Sequence, residues 1–185
     1  MSPAGAHTCA LDLEGEVSCW GRVEGAPPED VLFRELEGGL DHHCGITLEG
    51  GVRCWGSPLG HPLVEPAAEA RFIAVAAGRQ TTCGLDETGR VRCWGGRADV
   101  APTAHTIPTG GGYTRIEGGG RYYGGERFCV LDSEGHASCW SWDDTVEAPP
   151  DGSTWTDLDV ADVSACGVAE GNIRCWQGGH VEYRR

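Results

Sequence analysis

Ten cysteines, seven histidines and three aspartates at one recurring offset are the residues of this 185-residue chain whose types and spacing could do chemistry. Asp12, Asp86 and Asp132 each stand three residues after a cysteine. Carboxylates of this kind can divide acid and base work in a hydrolase or lyase acting on glycans, provided that their spacing and surroundings set them apart. An Asp at the start of a hairpin turn has a plainer use, accepting backbone N–H bonds, and that reading is favoured here. No catalytic residue is assigned and the chain is not expected to be an enzyme.

His7, His42 and His43 stand just before hairpins, but there is no HExxH and no compact ligand cluster, so neither a metal site nor a cofactor is expected. The stretch GGGYTRIEGGGRYYGGE lacks Gly-Lys-Ser/Thr and does not open a helix, which excludes a phosphate loop. It does contain Arg121, Tyr122 and Tyr123, whose types anchor interfaces more than most. These three are the candidate partner-binding residues, and a functionless insertion is the alternative.

The cysteines belong to one pattern that occurs five times: CALDLEGEVSCW, CGITLEGGVRCW, CGLDETGRVRCW, CVLDSEGHASCW and CGVAEGNIRCW. In each unit apolar residues alternate on either side of an acidic-glycine turn, the mark of a β-hairpin. Nine residues separate the cysteines in the first four units, leaving a three-residue loop such as Leu13, Glu14 and Gly15. The fifth unit has eight, and the loop shortens to Glu170 and Gly171. Loop and spacing change together, so the two cysteines stay directly opposed at the separation that a disulfide needs. The expected pairs are Cys9 with Cys19, Cys44 with Cys54, Cys83 with Cys93, Cys129 with Cys139, and Cys166 with Cys175. The competing readings are reduced buried thiols and zinc, but zinc ligands normally come closer together in sequence.

Those hairpins must be held by larger elements. The first cysteines stand at 9, 44, 83, 129 and 166, so the repeats are 35, 39, 46 and 37 residues apart. From the second unit onward an extended segment precedes each hairpin: LFRELEGG, RFIAVAAG, YTRIEGGG and WTDLDVAD. Pro-rich stretches lie before these, and a short fourth strand at the outer edge is expected there, where a missing amide costs little. Three or four strands in each repeat make a propeller blade. Leu11, Val17 and the cysteines occupy one face of the hairpin and Trp20 the other; the five tryptophans at 20, 55, 94, 140 and 176 are read as packing between blades. Arg53, Arg92 and Arg174, each two residues before a Trp, are read as stacking on indoles or as solvated charges.

Thirty glycines and ten prolines describe a turn-rich chain, and no apolar run is long enough to insert in a membrane. A net charge of −14 argues against nucleic acid as a partner, since phosphate binding needs a basic face. All fourteen basic residues are Arg, the composition of a GC-rich, bacterial coding sequence. The N-terminal residues as given lack the basic and apolar regions of a signal peptide.

The runs AGAHTCALDLEGEVSCWG and AAGRQTTCGLDETGRVRCWGG resemble the RCC1 repeat, with its glycine, its acidic-glycine turn and its closing Trp-Gly. The resemblance extends over nearly the whole chain. It is nearest to short, cysteine-paired variants in bacterial surface and secreted proteins. It departs from the chromatin-bound eukaryotic members, which have longer repeats and no paired cysteines, so nucleotide exchange is not implied.

The resemblance and the hairpins together give an all-β, five-bladed propeller as a single domain over residues 1–185, with repeats at about 1–31, 32–70, 71–112, 113–154 and 155–185. The wrap from Cys166 round to Cys9 is only 28 residues, and HisValGluTyr at 180–183 is expected to supply the first strand of blade one as a clasp. The alternative is a piece of a longer propeller. The function expected is a non-enzymatic binding module, extracellular, periplasmic or on the cell surface, holding a protein or glycan through loops on one face. A glycan-acting enzyme and a purely structural repeat are the rivals.

Overall fold

The computed structural model describes residues 2–4, 7–21, 25–56, 63–95, 107–120, 126–141, 152–161, 164–177 and 180–183. They form five antiparallel sheets, one per repeat and in chain order. Blade one is β1 (Ser2–Ala4), β2 (His7–Leu11) and β3 (Val17–Gly21); blade two is β4 (Phe33–Gly38), β5 (His42–Thr47) and β6 (Val52–Gly56). Blade three is β7 (Phe72–Ala77), β8 (Thr81–Asp86) and β9 (Val91–Gly95); blade four is β10 (Tyr113–Gly119), β11 (Arg127–Asp132) and β12 (Ala137–Ser141). Blade five is β13 (Trp155–Val160), β14 (Ala165–Ala169), β15 (Asn172–Gln177) and β16 (His180–Tyr183). The first strands β1, β4, β7, β10 and β13 are neighbours in succession, which makes them the inner strands of a propeller. No helix among the described residues is long and apolar enough to cross a membrane.

All five expected disulfides are present, each joining residues that face one another across a hairpin with Cα atoms 4.0 to 4.1 Å apart. The turns follow their residues. Gly15, Gly50, Gly89 and Gly135 have φ between 70° and 91°, and the two-residue fifth loop has φ of 53° at Glu170 and 73° at Gly171, the signs that a type I′ turn requires.

Each turn also fastens the next blade. The N–H groups of Phe33, Phe72, Tyr113 and Trp155, which open the inner strands of blades two to five, donate to the turn carbonyls of Gly15, Gly50, Gly89 and Gly135 at 2.8 to 3.1 Å. Those four inner strands share another feature: a register shift after the first residue, between Phe33 and Glu35, Phe72 and Ala74, Tyr113 and Arg115, and Trp155 and Asp157. A bulge there turns the leading aromatic onto the same face as the hairpin Trp while the strand continues.

The core consists of four interfaces built alike. The disulfide face of one blade meets the Trp face of the next: Cys9, Leu11, Val17 and Cys19 against Phe33, Leu36 and Trp55; Cys44, Ile46, Val52 and Cys54 against Phe72, Val75 and Trp94. Blade three likewise packs Cys83, Leu85 and Cys93 on Phe128, Val130 and Trp140, and blade four packs Cys129, Leu131 and Cys139 on Trp155, Leu158 and Trp176. Gly45, Gly84 and Gly167, each just after a first cysteine, make room for this. A Cβ at these positions would fall 2.5, 2.8 and 2.4 Å from the rings of Phe33, Phe72 and Trp155.

Two expectations are corrected. HisValGluTyr at 180–183 does not serve blade one: β16 pairs with β15, Val181 opposite Trp176, and Ser2–Ala4 is the inner strand of blade one. A hairpin across a short gap closes at small entropic cost, whereas a clasp must bring together the two ends of the chain. Trp20 is not packed between blades either; it is 49% exposed, against 2 to 9% for Trp55, Trp94, Trp140 and Trp176. Among the described residues no blade covers it on that side. The fourth strand expected in the Pro-rich stretches is not formed at 25–32 or 63–71, which run outside any strand; the outer strand β16 follows its hairpin instead.

Candidate functional site

The recurring aspartates are turn caps. Asp12 Oδ1 accepts the N–H of Glu14 at 3.0 Å and of Glu16 at 2.8 Å. Asp86 Oδ1 accepts the N–H of Thr88 at 2.9 Å, that of Arg90 at 3.1 Å and the Thr88 hydroxyl at 2.6 Å, while Oδ2 takes Arg92 Nε at 3.3 Å. Asp132 repeats the arrangement with the N–H groups of Glu134 and His136, and its Oδ2 lies 3.0 Å from His136 Nδ1. For Asp86 what burial there is opposes ionisation, but the bonds from Thr88, Arg90 and Arg92 outweigh it and hold the carboxyl down to about 2. Each of the three sits on a different hairpin, so they do not form an acid-base pair.

The arginines before the tryptophans are also engaged. Arg92 pairs with Asp86, Arg174 with Glu170 at 3.1 Å and with Ser153 Oγ at 3.0 Å, and Arg53 donates to its neighbour's carbonyl, Val52 O, at 3.0 Å. An open cleft of about 520 Å³ lies beside the Asp86 turn, lined by Arg71, Phe72, Asp86, Thr88, Arg92 and Trp94. Arg71 there donates to the carbonyls of Ala68 and Ala70, so the cleft's charged groups are largely occupied with one another and with backbone.

At the opposite ends of the hairpins three histidines meet. The His7 and His43 rings lie 4.7 Å apart edge to face, and His43 stacks on Trp55 at 5.7 Å. His42 Nε2 lies 2.9 Å from Thr82 Oγ1 of blade three. Burial, then the neighbouring histidines, lower both His42 and His43 to about 4, so both are neutral near pH 7. No group of three or more possible metal ligands is present among the described residues.

A second cluster lies along the inner strands. Glu37, Glu117 and Asp159 occupy one register position, opposite Cys44, Cys129 and Cys166, and Glu35 accepts the Val75 N–H at 2.7 Å. Burial, then the charges of Glu117, Glu35 and Asp159, raise Glu37 to about 8; burial raises Glu117 to about 7 against the pull of Arg115, which is paired with Asp157. The aligned fragments LEGG and IEGG carry the signal for this cluster, but only once their inner position is known.

Arg121, Tyr122 and Tyr123 lie outside the described residues. The connection that holds them joins β10 to β11, and its far end is fixed: Glu126 is buried, with Oε1 accepting the N–H of Thr81 at 3.0 Å and that of Gln80.

Comparison with known proteins agrees with this architecture. Residues 72–96 match the family described as Regulator of chromosome condensation (RCC1) repeat. The third unit is therefore an RCC1 repeat, and the other four share its hairpin, its staple and its closing Trp. No curated protein matches the chain in sequence. Among solved structures it is similar to the CRINKLY WD40 ectodomain of the Arabidopsis thaliana receptor kinase ACR4, at 24% identity and a TM-score of 0.76, over 98% of this chain and 65% of that one. It is also similar to Prp20p of Saccharomyces cerevisiae, a structure described with its binding to Gsp1p and histones, at 16% identity and a TM-score of 0.71, over 95% of this chain and 56% of that one. The ectodomain of the Physcomitrella patens receptor kinase CR4 follows at 21% identity and a TM-score of 0.57, over 95% of this chain and 62% of that one. The chain thus spans less than two thirds of the length of each, and the likeness is one of fold.

Proposed function

We propose that this chain is a non-enzymatic binding module, a single propeller domain exported or held at the cell surface, that grips a protein through the loops on one face. The observation that carries this reading is the division of labour between the faces. On the turn face the Asp carboxylates and the glycine carbonyls are used up in shaping turns and fastening blades. Away from the turns, Glu126 is buried and holds the N–H groups of Gln80 and Thr81, and the sequence just before it contains Arg121, Tyr122 and Tyr123, residue types suited to an interface. Five disulfides suit an oxidising compartment. A receptor ectodomain and a protein described as binding Gsp1p and histones share the fold, which supports a protein as the ligand.

The turn face supports a second reading, because Leu13 and Leu48 stand exposed at the tips of adjacent hairpins, next to Glu14 and Glu49. The test is to cross-link the chain to the secreted and envelope proteins of its source cell. Capture lost in the triple variant Arg121→Ala, Tyr122→Ala, Tyr123→Ala and kept in Leu13→Ser with Leu48→Ser supports the first reading. The reverse pattern moves the site to the turn face, and capture indifferent to both sets of changes sinks the loop model.

A further inference from the structure

The outer edges of the blades are occupied in different ways. In every hairpin the two cysteines lie 4.0 to 4.1 Å apart at Cα. That is the close spacing of an antiparallel pair that exchanges no backbone hydrogen bonds, about 4.5 Å against about 5.5 Å for a bonded pair. The N–H and C=O of each second cysteine therefore point to the outer side of the blade. In blade two that N–H is taken by a side chain: Cys54 donates to Glu65 Oε1 at 2.7 Å, and Glu65 Oε2 lies 3.9 Å from Arg53 Nη1. In blade five the edge carries a whole strand, β16. Blade three has the same three residues on its edge, Arg92, Cys93 and Trp94 in place of Arg53, Cys54 and Trp55. What they face is the open cleft of about 520 Å³. Its other wall includes Pro66, Ala67 and Ala70, from the same stretch whose Glu65 closes the edge of blade two.

We propose that this cleft binds an acidic peptide segment of a partner protein, one carboxylate of which takes the Cys93 N–H and pairs with Arg92 as Glu65 does with Cys54 and Arg53. Blade two supplies the template, with the same residue types at the same places in the hairpin. The donors on blade three are set for it. Asp86 holds Arg92 through Nε at 3.3 Å and leaves the two terminal nitrogens of the guanidinium without a bonded partner among the described residues. A carboxylate that accepts both a guanidinium and a backbone N–H makes charge-assisted bonds, the stronger kind. The apolar side chains of Pro66, Ala67 and Ala70 offer the flanking residues of the segment a surface to cover. Blades one and four have Ser18 and Ser138 where blade three has Arg92, so their edges lack the cation. Charge picks out the same blade. Residues 71–112 carry five Arg against three acidic residues, the one repeat with a net positive charge in a chain of −14. An acidic segment is repelled elsewhere and attracted here, which fixes where it docks.

The experiment is a nuclear magnetic resonance titration of the oxidised, full chain, labelled with nitrogen-15. The probe is an end-blocked peptide LVEPAA, the sequence that presents Glu65 to the edge of blade two. The Cys93 amide is expected to move downfield and saturate, as a donor to a carboxylate does, while the Cys54 amide, already bonded to Glu65, stays in place. Exchanging the glutamate of the peptide for glutamine, or Arg92→Gln in the protein, is expected to weaken binding about tenfold, the loss of one charge-assisted bond. Ala67→Trp, at an exposed position on the far wall, narrows the cleft and is expected to weaken binding without touching Arg92. Circular dichroism verifies the fold of both variants. A Cys93 amide that does not respond overturns the proposal. If it stands downfield before any peptide is added, residues 96–106 or a second copy hold the edge, and its return on dilution identifies the copy; either result overturns the proposal too. Binding indifferent to the glutamine peptide and to Arg92→Gln refutes the carboxylate contact. None of these changes touches Arg121, Tyr122 or Tyr123, so this site and the loop proposed above fail separately.

Discussion

At the scale of single residues, the glycine after the first cysteine in units two, three and five shows how a hairpin position is set by a residue of another strand. Gly84 has a backbone that any residue can adopt, yet a Cβ there would lie 2.8 Å from the Phe72 ring and 3.0 Å from the Ala74 carbonyl and the Trp94 ring. Gly171 is the converse, open to solvent but held at φ 73°. Gly84→Ala forces an aromatic pair apart in a packed interface, an overpacking of about 1–3 kcal/mol. Gly171→Ala meets no atom and costs only the left-handed strain of about 1–2 kcal/mol. Urea unfolding of the two variants is expected to rank Gly84→Ala as the more damaging, with loss of the near-ultraviolet aromatic signal in that variant alone. Equal losses would mean that the interface yields easily. The turn glycines were readable from sequence because a three-residue loop demands a left-handed residue at a known place. Gly45, Gly84 and Gly167 were not, because their reason is an aromatic ring brought in by a bulge.

At the scale of elements, the inner strands explain both what the alternating pattern revealed and what it hid. FRELEG reads as a strand on sight, but the bulge after Phe33 puts Phe33 and Leu36 on the Trp face and Glu35 and Glu37 beside Cys44 and Ile46. No period-two reading anticipates that crossing of faces. Its consequence is a set of carboxyls held close to one another at the inner edges of the blades. Burial and mutual repulsion raise Glu37 from 4.5 to about 8 and Glu117 to about 7, so the folded state holds protons that the unfolded chain has released. That contribution to stability is complete below pH 4.5 and is lost as pH rises through 7 and 8. His42 and His43, lowered from 6.5 to about 4, act in the opposite sense: their contribution is complete above pH 6.5 and is lost as pH falls towards 4. Glu37→Gln cannot release a proton, so its denaturation midpoint is expected to fall less than that of wild type between pH 6.5 and pH 8.5. Parallel curves for the two proteins would show that Glu37 ionises in the fold without cost.

At the scale of the whole molecule, stability in a series of like blades is a sum of blades and of the interfaces between neighbours. Blades two, three and four have both faces covered, and all but Cys9 of the largest fully buried side chains among the described residues, Phe33, Ile46, Leu85, Phe128 and Trp140 among them, belong to these three. Among the described residues, blades one and five each have one face that no other blade covers. The disulfides do not level this difference, since each closes only the loop of its own hairpin, with cysteines 9 or 10 apart in sequence, and none ties one blade to another. Opening should therefore begin at the ends and move inward. Hydrogen exchange on the oxidised protein, at a concentration where it is monomeric, is expected to be slowest for the amides of β5, β8 and β11 and faster for those of β2 and β14, which hold the same place in the end blades. Trp20→Glu leaves that order unchanged under these conditions, because Trp20 is half exposed and belongs to none of the four interfaces between blades. Uniform protection across all five blades would mean instead that blades one and five close on each other in solution, since only a ring gives every blade two neighbours.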